Sequence, residues 1–170
     1  VADAGEGDEI VATAGVYDEK VDFLGKPVTI RSTDPNDPAV VAATILRSLG
    51  STVVFADHEG AASVLAGFTV TGGHEAVYCY TASPTVTCCT IVGSDGVGVK
   101  LAGSCNPTST LCRIVANGAA GIEMSAPTEG RSVKQNEATI RNCIIAANGG
   151  QGVHGAKPAI INCTIVENSS

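Results

Sequence analysis

Ionisable side chains are sparse in this sequence, and the densest group is Asp57-His58-Glu59, with His74-Glu75 sixteen residues further on. An imidazole titrates near neutral pH and a neighbouring carboxylate can orient it, so the two runs would suit general acid–base work if one turn of the fold gathered them. Lys100 is a candidate base, with Arg113 and Arg141 as further cations. The competing assignment for all of them is solvated residues at turn tips. Sugar stacking is a second chemistry. It falls to Tyr78 and Tyr80, which share one face of a strand and offer two aromatic rings. The seven cysteines contain no C-x-x-C pair, so no zinc or other metal site is expected from them.

The elements that must position these groups follow from composition and from an internal repeat. Of 170 residues, 44% are apolar, 4% aromatic and 16% charged. A length of this order fits one domain, residues 1–170, filled by small and β-branched side chains. The net charge of −7 opposes phosphate binding, and no apolar run approaches the about 18 residues of a membrane-spanning helix. Neither nucleic acid nor membrane insertion is expected.

Phe68, Cys89, Cys112, Cys143 and Cys163 head the same frame, at intervals of 21, 23, 31 and 20 residues. Two positions after each anchor stands a β-branched residue (Val70, Ile91, Ile114, Ile145, Ile165). Five positions after each stand Gly73, Ser94, Asn117, Asn148 and Asn168, types that suit a left-handed bend. Strand, bend, strand and turn make one coil of a parallel β-solenoid, and roughly six to seven coils would stack about 4.8 Å apart. The anchors then form one internal ladder and the amides another. Residues 126–136 read as a polar insertion that fills the long interval. Upstream, 10–12 and 28–30 read as strands, 15–17 as a turn and 34–38 as a surface loop, with no helix longer than a cap.

In the ladder a thiol acts as a small apolar filler. Cys79, Cys88 and Cys105 fall outside it, so at most one disulfide is expected among them, leaving an odd thiol; in a secreted chain the pair is Cys79 with Cys88 or with Cys105. The run Cys163–Asn168 reads as mid-repeat, which predicts a segment of a longer protein. An open last strand predicts end-to-end self-association.

The phrase from Gly7 to Lys20, followed by Gly25-Lys-Pro-Val-Thr-Ile-Arg31, resembles the opening of right-handed parallel β-helix proteins of the pectate-lyase-like superfamily. The Cys-x-Ile-x-x-Asn phrases at 112, 143 and 163 resemble the β-helix repeats of bacterial secreted and surface proteins. The resemblance implies an all-β fold, a single right-handed parallel β-helix, and an extracellular or cell-surface location. It implies no single activity, because the superfamily hosts lyases, hydrolases, esterases and plain scaffolds. A lyase of this kind needs a basic residue beside Ca²⁺ held by clustered carboxylates, and the acids after residue 95 are scattered. The hydrolase phrases Asn-Thr-Asp, Asp-Asp, Gly-His-Gly and Arg-Ile-Lys are missing, with Gly152-Val-His154-Gly155 a distant echo of the third. Gly15-Val-Tyr-Asp-Glu19 resembles pectin methylesterases, whose catalytic Asp pair has no counterpart downstream. The expected function is therefore a non-enzymatic scaffold or adhesive module with weak carbohydrate binding and no cofactor. The alternative is a lyase or hydrolase of uronate polymers, with Ca²⁺ in the lyase case.

Overall fold

The computed structural model describes residues 1–125 and 136–170, and the expected insertion at 126–136 lies outside the described residues except for its last residue, the buried Asn136. The chain winds in rungs of three short strands. β1 (Glu9–Ala12), β2 (Gly15–Asp18) and β3 (Val21–Asp22) make the first rung. β4 (Thr29–Ser32), helix α1 (Pro38–Ala43), β5 (Thr44–Arg47) and β6 (Val53–Phe55) make the second. β7 (Val64–Ala66), β8 (Thr69–Thr71) and β9 (Glu75–Tyr80) form the third, and β10 (Thr85–Thr87), β11 (Thr90–Val92) and β12 (Val97–Ala102) the fourth. β13 (Thr108–Thr110), β14 (Arg113–Val115) and β15 (Ile122–Ser125) follow, then β16 (Thr139–Arg141), β17 (Ile144–Ala146) and β18 (Val153–Gly155). β19 (Ala159–Ile161) and β20 (Thr164–Val166) lie last.

Every strand pairs in parallel with its counterpart one rung away, giving a first sheet and a second sheet of seven strands and a third of six. Register is strict. In the first sheet Leu65, Val86, Ser109 and Ile140 stack inward, in the second Val70, Ile91, Ile114 and Ile145, in the third Phe55, Cys79, Leu101 and Met124. These files fill the narrow interior, and Phe23 stacks on Phe55 with ring centroids 4.2 Å apart. Two upstream readings need correction. Gly15–Asp18 is strand β2 rather than a turn, because its residues pair along β5. The loop at 34–38 leads into the six-residue α1, started by Pro38 and capped by Asp37, whose side chain accepts from the Ala39 N–H.

The corners explain the repeat. Before each anchor comes a left-handed residue: Gly67, Cys88, Leu111, Asn142 and Asn162, with φ of 75, 53, 56, 51 and 51°. It breaks the anchor row into two strands and turns the anchor side chain inward. A second left-handed residue closes the next corner: Gly72, Gly93, Ala116, Ala147 and Glu167. The sequence reading placed this conformation one residue later. Of Gly73, Ser94, Asn117, Asn148 and Asn168, only Gly73 has positive φ, because the others turn their side chains along the stack. Asn148 Oδ1 accepts from the Asn117 backbone N–H at 3.1 Å and from Asn117 Nδ2 at 2.9 Å, while Asn148 Nδ2 donates to Ile114 O at 3.1 Å. Asn168 repeats this under Asn148, and Asn117 Oδ1 serves Ser94 in the same way. A buried corner thereby has its amides satisfied without water.

The anchors behave as expected. Phe68, Cys89, Cys112 and Cys143 are buried and Cys163 is half-buried at the last rung. Each thiol donates to carbonyls, as Cys112 does to Thr110 O at 3.4 Å. Burial pushes the Cys89 thiol up to about 12. All seven cysteines are free. The expected disulfide is not formed: Cys79 is buried in the third-sheet file, Cys88 lies on the outer side of a corner beside Asn36, and Cys105 donates to Cys79 O at 3.5 Å as a thiol.

Asn148→Ala leaves the Ile114 carbonyl and two Asn117 donors unpaired inside, so denaturant unfolding should show a loss of about 3 kcal/mol; a loss near zero would contradict the ladder's role. A thiol reagent should modify Cys88 and Cys163 in the native protein and all seven cysteines after unfolding. Finding two fewer thiols in denaturant would reveal a disulfide.

Candidate functional site

Strict register also builds columns on the outside, where side chains at alternate positions point away from the core. On the third sheet one column runs Val54, Tyr78, Lys100, Glu123 and His154, and the next runs Tyr80, Ala102 and Ser125. Lys100 Nζ forms an ion pair with Glu123 Oε1, which also accepts from Ser125 Oγ at 3.2 Å. The Lys100 ammonium holds the Glu123 carboxyl below its usual range, against the opposing effect of burial. His154 Nδ1 meets Gln151 Oε1 at 2.7 Å. Tyr80 is 48% exposed and Tyr78 half-buried; desolvation, with Tyr80 and Glu75 nearby, pushes the Tyr78 phenol up. The result is a shallow face with two phenols at one side, an ion pair in the middle and an imidazole at the far side.

The densest ionisable group of the sequence is not one site. Third-sheet neighbours are 24 residues apart in this part of the chain, as Phe55 and Cys79 show, so Asp57 lies level with Thr81 and not with His74. Ser51 Oγ donates to Glu75 Oε2 at 2.9 Å, and Asp57 follows Ser51 by six residues, roughly 20 Å of extended chain. His74-Glu75 therefore opens β9 at one edge of the third sheet while Asp57-His58-Glu59 follows β6 at the other. His58 and His74 are both exposed.

At the second edge Asp22, Asp57 and Glu59 bring one carboxylate oxygen each within 4.8 Å. Glu59 is only 2% exposed, yet both of its oxygens are taken, Oε1 by the Gly25 N–H and Oε2 by the Asp57 N–H, each at 2.9 Å. Asp22 accepts from Leu24 N–H and from Lys20 Nζ. These contacts knit adjacent rungs together, and the loop depends on Glu59 as an internal acceptor.

Lys100, Tyr78 and Tyr80 are candidates from sequence, whereas Glu123 counts there only among the scattered acids after residue 95. A signal was present. Lys100 to Glu123 is 23 residues and Glu123 to His154 is 31, the same as the Cys89–Cys112 and Cys112–Cys143 intervals. Residues separated by the local repeat length must share a column. No comparable signal marks Asp22, because α1 disturbs the period between it and Asp57.

Three parallel sheets wound rung upon rung, with an amide ladder at one corner and a polar column on one outer face, define a parallel β-solenoid. The chain belongs to the right-handed β-helix family, whose model, described as a right handed beta helix region, matches residues 31–170. Comparisons with the curated proteins and with the solved structures gave no match. The rung made by β1 to β3 lies before the matched residues and pairs in register with the next, so it continues the same helix. Among the described residues no helix is long and apolar enough to cross a membrane.

Lys100→Met should move the Glu123 carboxyl up toward its usual range, read by carbon-detected NMR titration. The stabilisation that the depressed carboxyl supplies exists above its unfolded value and is lost as pH falls through the folded one. A Glu123 titration unchanged by Lys100→Met would refute the ion pair.

Proposed function

We propose that this chain is a non-enzymatic β-helix module of an extracellular or cell-surface protein, a spacer and adhesive surface that binds polysaccharide weakly through the outer face of its third sheet. The observation that carries this reading is the adjacency of Tyr78 and Tyr80 to the Lys100–Glu123 pair. A sugar ring stacks on a phenol through its C–H face and hydrogen bonds its hydroxyls to charged neighbours, and a flat column presents both at repeating heights. Against catalysis, Lys100 would have to leave Glu123 to reach a substrate proton, and the His154 imidazole, although next to Glu123 in the column, has its Nδ1 engaged by Gln151 Oε1.

Titration of oligogalacturonates and neutral oligosaccharides, followed by amide NMR, should place the shifts on β9, β12 and β15, and the double variant Tyr78→Ala, Tyr80→Ala should weaken binding about tenfold. Incubation with polygalacturonate, with and without Ca²⁺, should release neither unsaturated product nor reducing ends. A robust release abolished by Lys100→Ala or His74→Ala would replace the scaffold reading with the lyase or hydrolase one.

A further inference from the structure

The corner between the first and second sheets carries a left-handed residue in every rung from the third onward, and its side chain stands on the outer surface. In the third rung it is Gly67. A Cβ there would sit 2.4 Å from Ser32 Oγ and 2.5 Å from Pro35 Cα, so the glycine lets the segment leading into α1 lie down on the corner. In the next two rungs it is Cys88 and Leu111, which line a groove together with Pro35, Asn36 and Pro38 of that segment. Leu111 is unusual on two counts. It is 52% exposed, and it holds a φ of 56°, a left-handed conformation that strains a leucine. The following rungs place Asn142 and Asn162 at this position, the residue type that tolerates the conformation.

The groove between α1 and this pair measures about 340 Å³, within the size range of small-molecule sites. Val41 and Ala42 of α1 line one side, and Cys88, Thr90 and Leu111 the other. Two contacts tie the walls together. Thr69 Oγ1 donates to Val41 O at 2.9 Å, and Cys88 Sγ reaches Asn36 Oδ1 at 3.7 Å. No carboxylate lines the groove, and Arg113 is the one charged residue in its lining. In a chain of net charge −7, Arg31 and Arg47 are each matched by an acid, but Arg113 has no such partner among the described residues. Arg141, one rung further and backbone-bonded to Leu111, has none either.

We propose that this groove binds a small amphipathic carboxylate, an alkyl or aryl acid whose apolar body lies between α1 and Leu111 and whose carboxylate pairs with Arg113. The apolar walls take a body without hydrogen-bonding groups, and an unpaired guanidinium selects an acid over its neutral analogue. The site lies on a different face from the third-sheet column and does not depend on the proposed function.

Octanoate serves as the probe and octanamide as its neutral counterpart. Octanoate should shift the amide resonances of Val41, Ala42, Cys88 and Leu111 and slow alkylation of Cys88 by iodoacetamide, with octanamide binding about tenfold more weakly or worse. Arg113→Gln should lower octanoate affinity to the octanamide level, and Leu111→Asn, which installs the residue used by neighbouring rungs, should remove binding of both while keeping the amide spectrum dispersed. Equal binding of acid and amide, an unaffected Arg113→Gln, or shifts confined to other faces would overturn the proposal. So would concentration-dependent shifts at the same residues without probe, which would make a second copy the occupant.

Discussion

Every rung of this protein pairs in parallel and in register with the one below, so a residue's neighbour in space is its equivalent one repeat away. That single constraint governs the interior. A core built this way is narrow and is filled by files of like side chains, which is why three phenylalanines and many β-branched residues and thiols suffice without tryptophan. It also governs the corners, where backbone donors turn away from the sheets and would be stranded inside. Asn117, Asn148 and Asn168 satisfy them by passing hydrogen bonds from rung to rung, and Ser94 joins the top of the chain of amides.

The same register makes the surface a set of columns, each with its own chemistry. The third-sheet exterior gathers Tyr78, Lys100, Glu123 and His154 although they are spread over 77 positions. The corner between the first and second sheets sets Gly67, Cys88 and Leu111 in line, and a small insertion that rests on the glycine converts the other two into one wall of a groove. Local departures from the repeat thus have defined positions on an otherwise regular body. The acidic trio at Asp22, Asp57 and Glu59 is one such departure, in which a buried carboxylate caps backbone amides from two rungs.

Much of the fold was legible in the residues. The anchor intervals, the β-branched residue two places on and the amide five places on gave the rungs, the inward thiols and the asparagine stack. The left-handed residues were misplaced by one position, because asparagine is suited both to that conformation and to ladder hydrogen bonds, and composition alone cannot say which it performs. Half of the candidate site was legible as well: the two tyrosines and Lys100 were named, and the repeat intervals contained Glu123 and His154. The association of His74 with Asp57 failed because nearness along the chain counts for little when contacts obey a period of 24 residues.

What the sequence determined by itself is the periodic part: a parallel stack, its interior files and its amide corner, since these follow from residue types recurring at fixed separations. What only the tertiary structure decided is everything set where the period slips: the placement of α1, the groove beneath it, the joining of Asp22 to Glu59, and the free state of Cys79 and Cys105. The physical reason is that a repeat fixes which residues share a height and a face. An insertion has no equivalent in the next rung, so its position is settled by the side chains it meets.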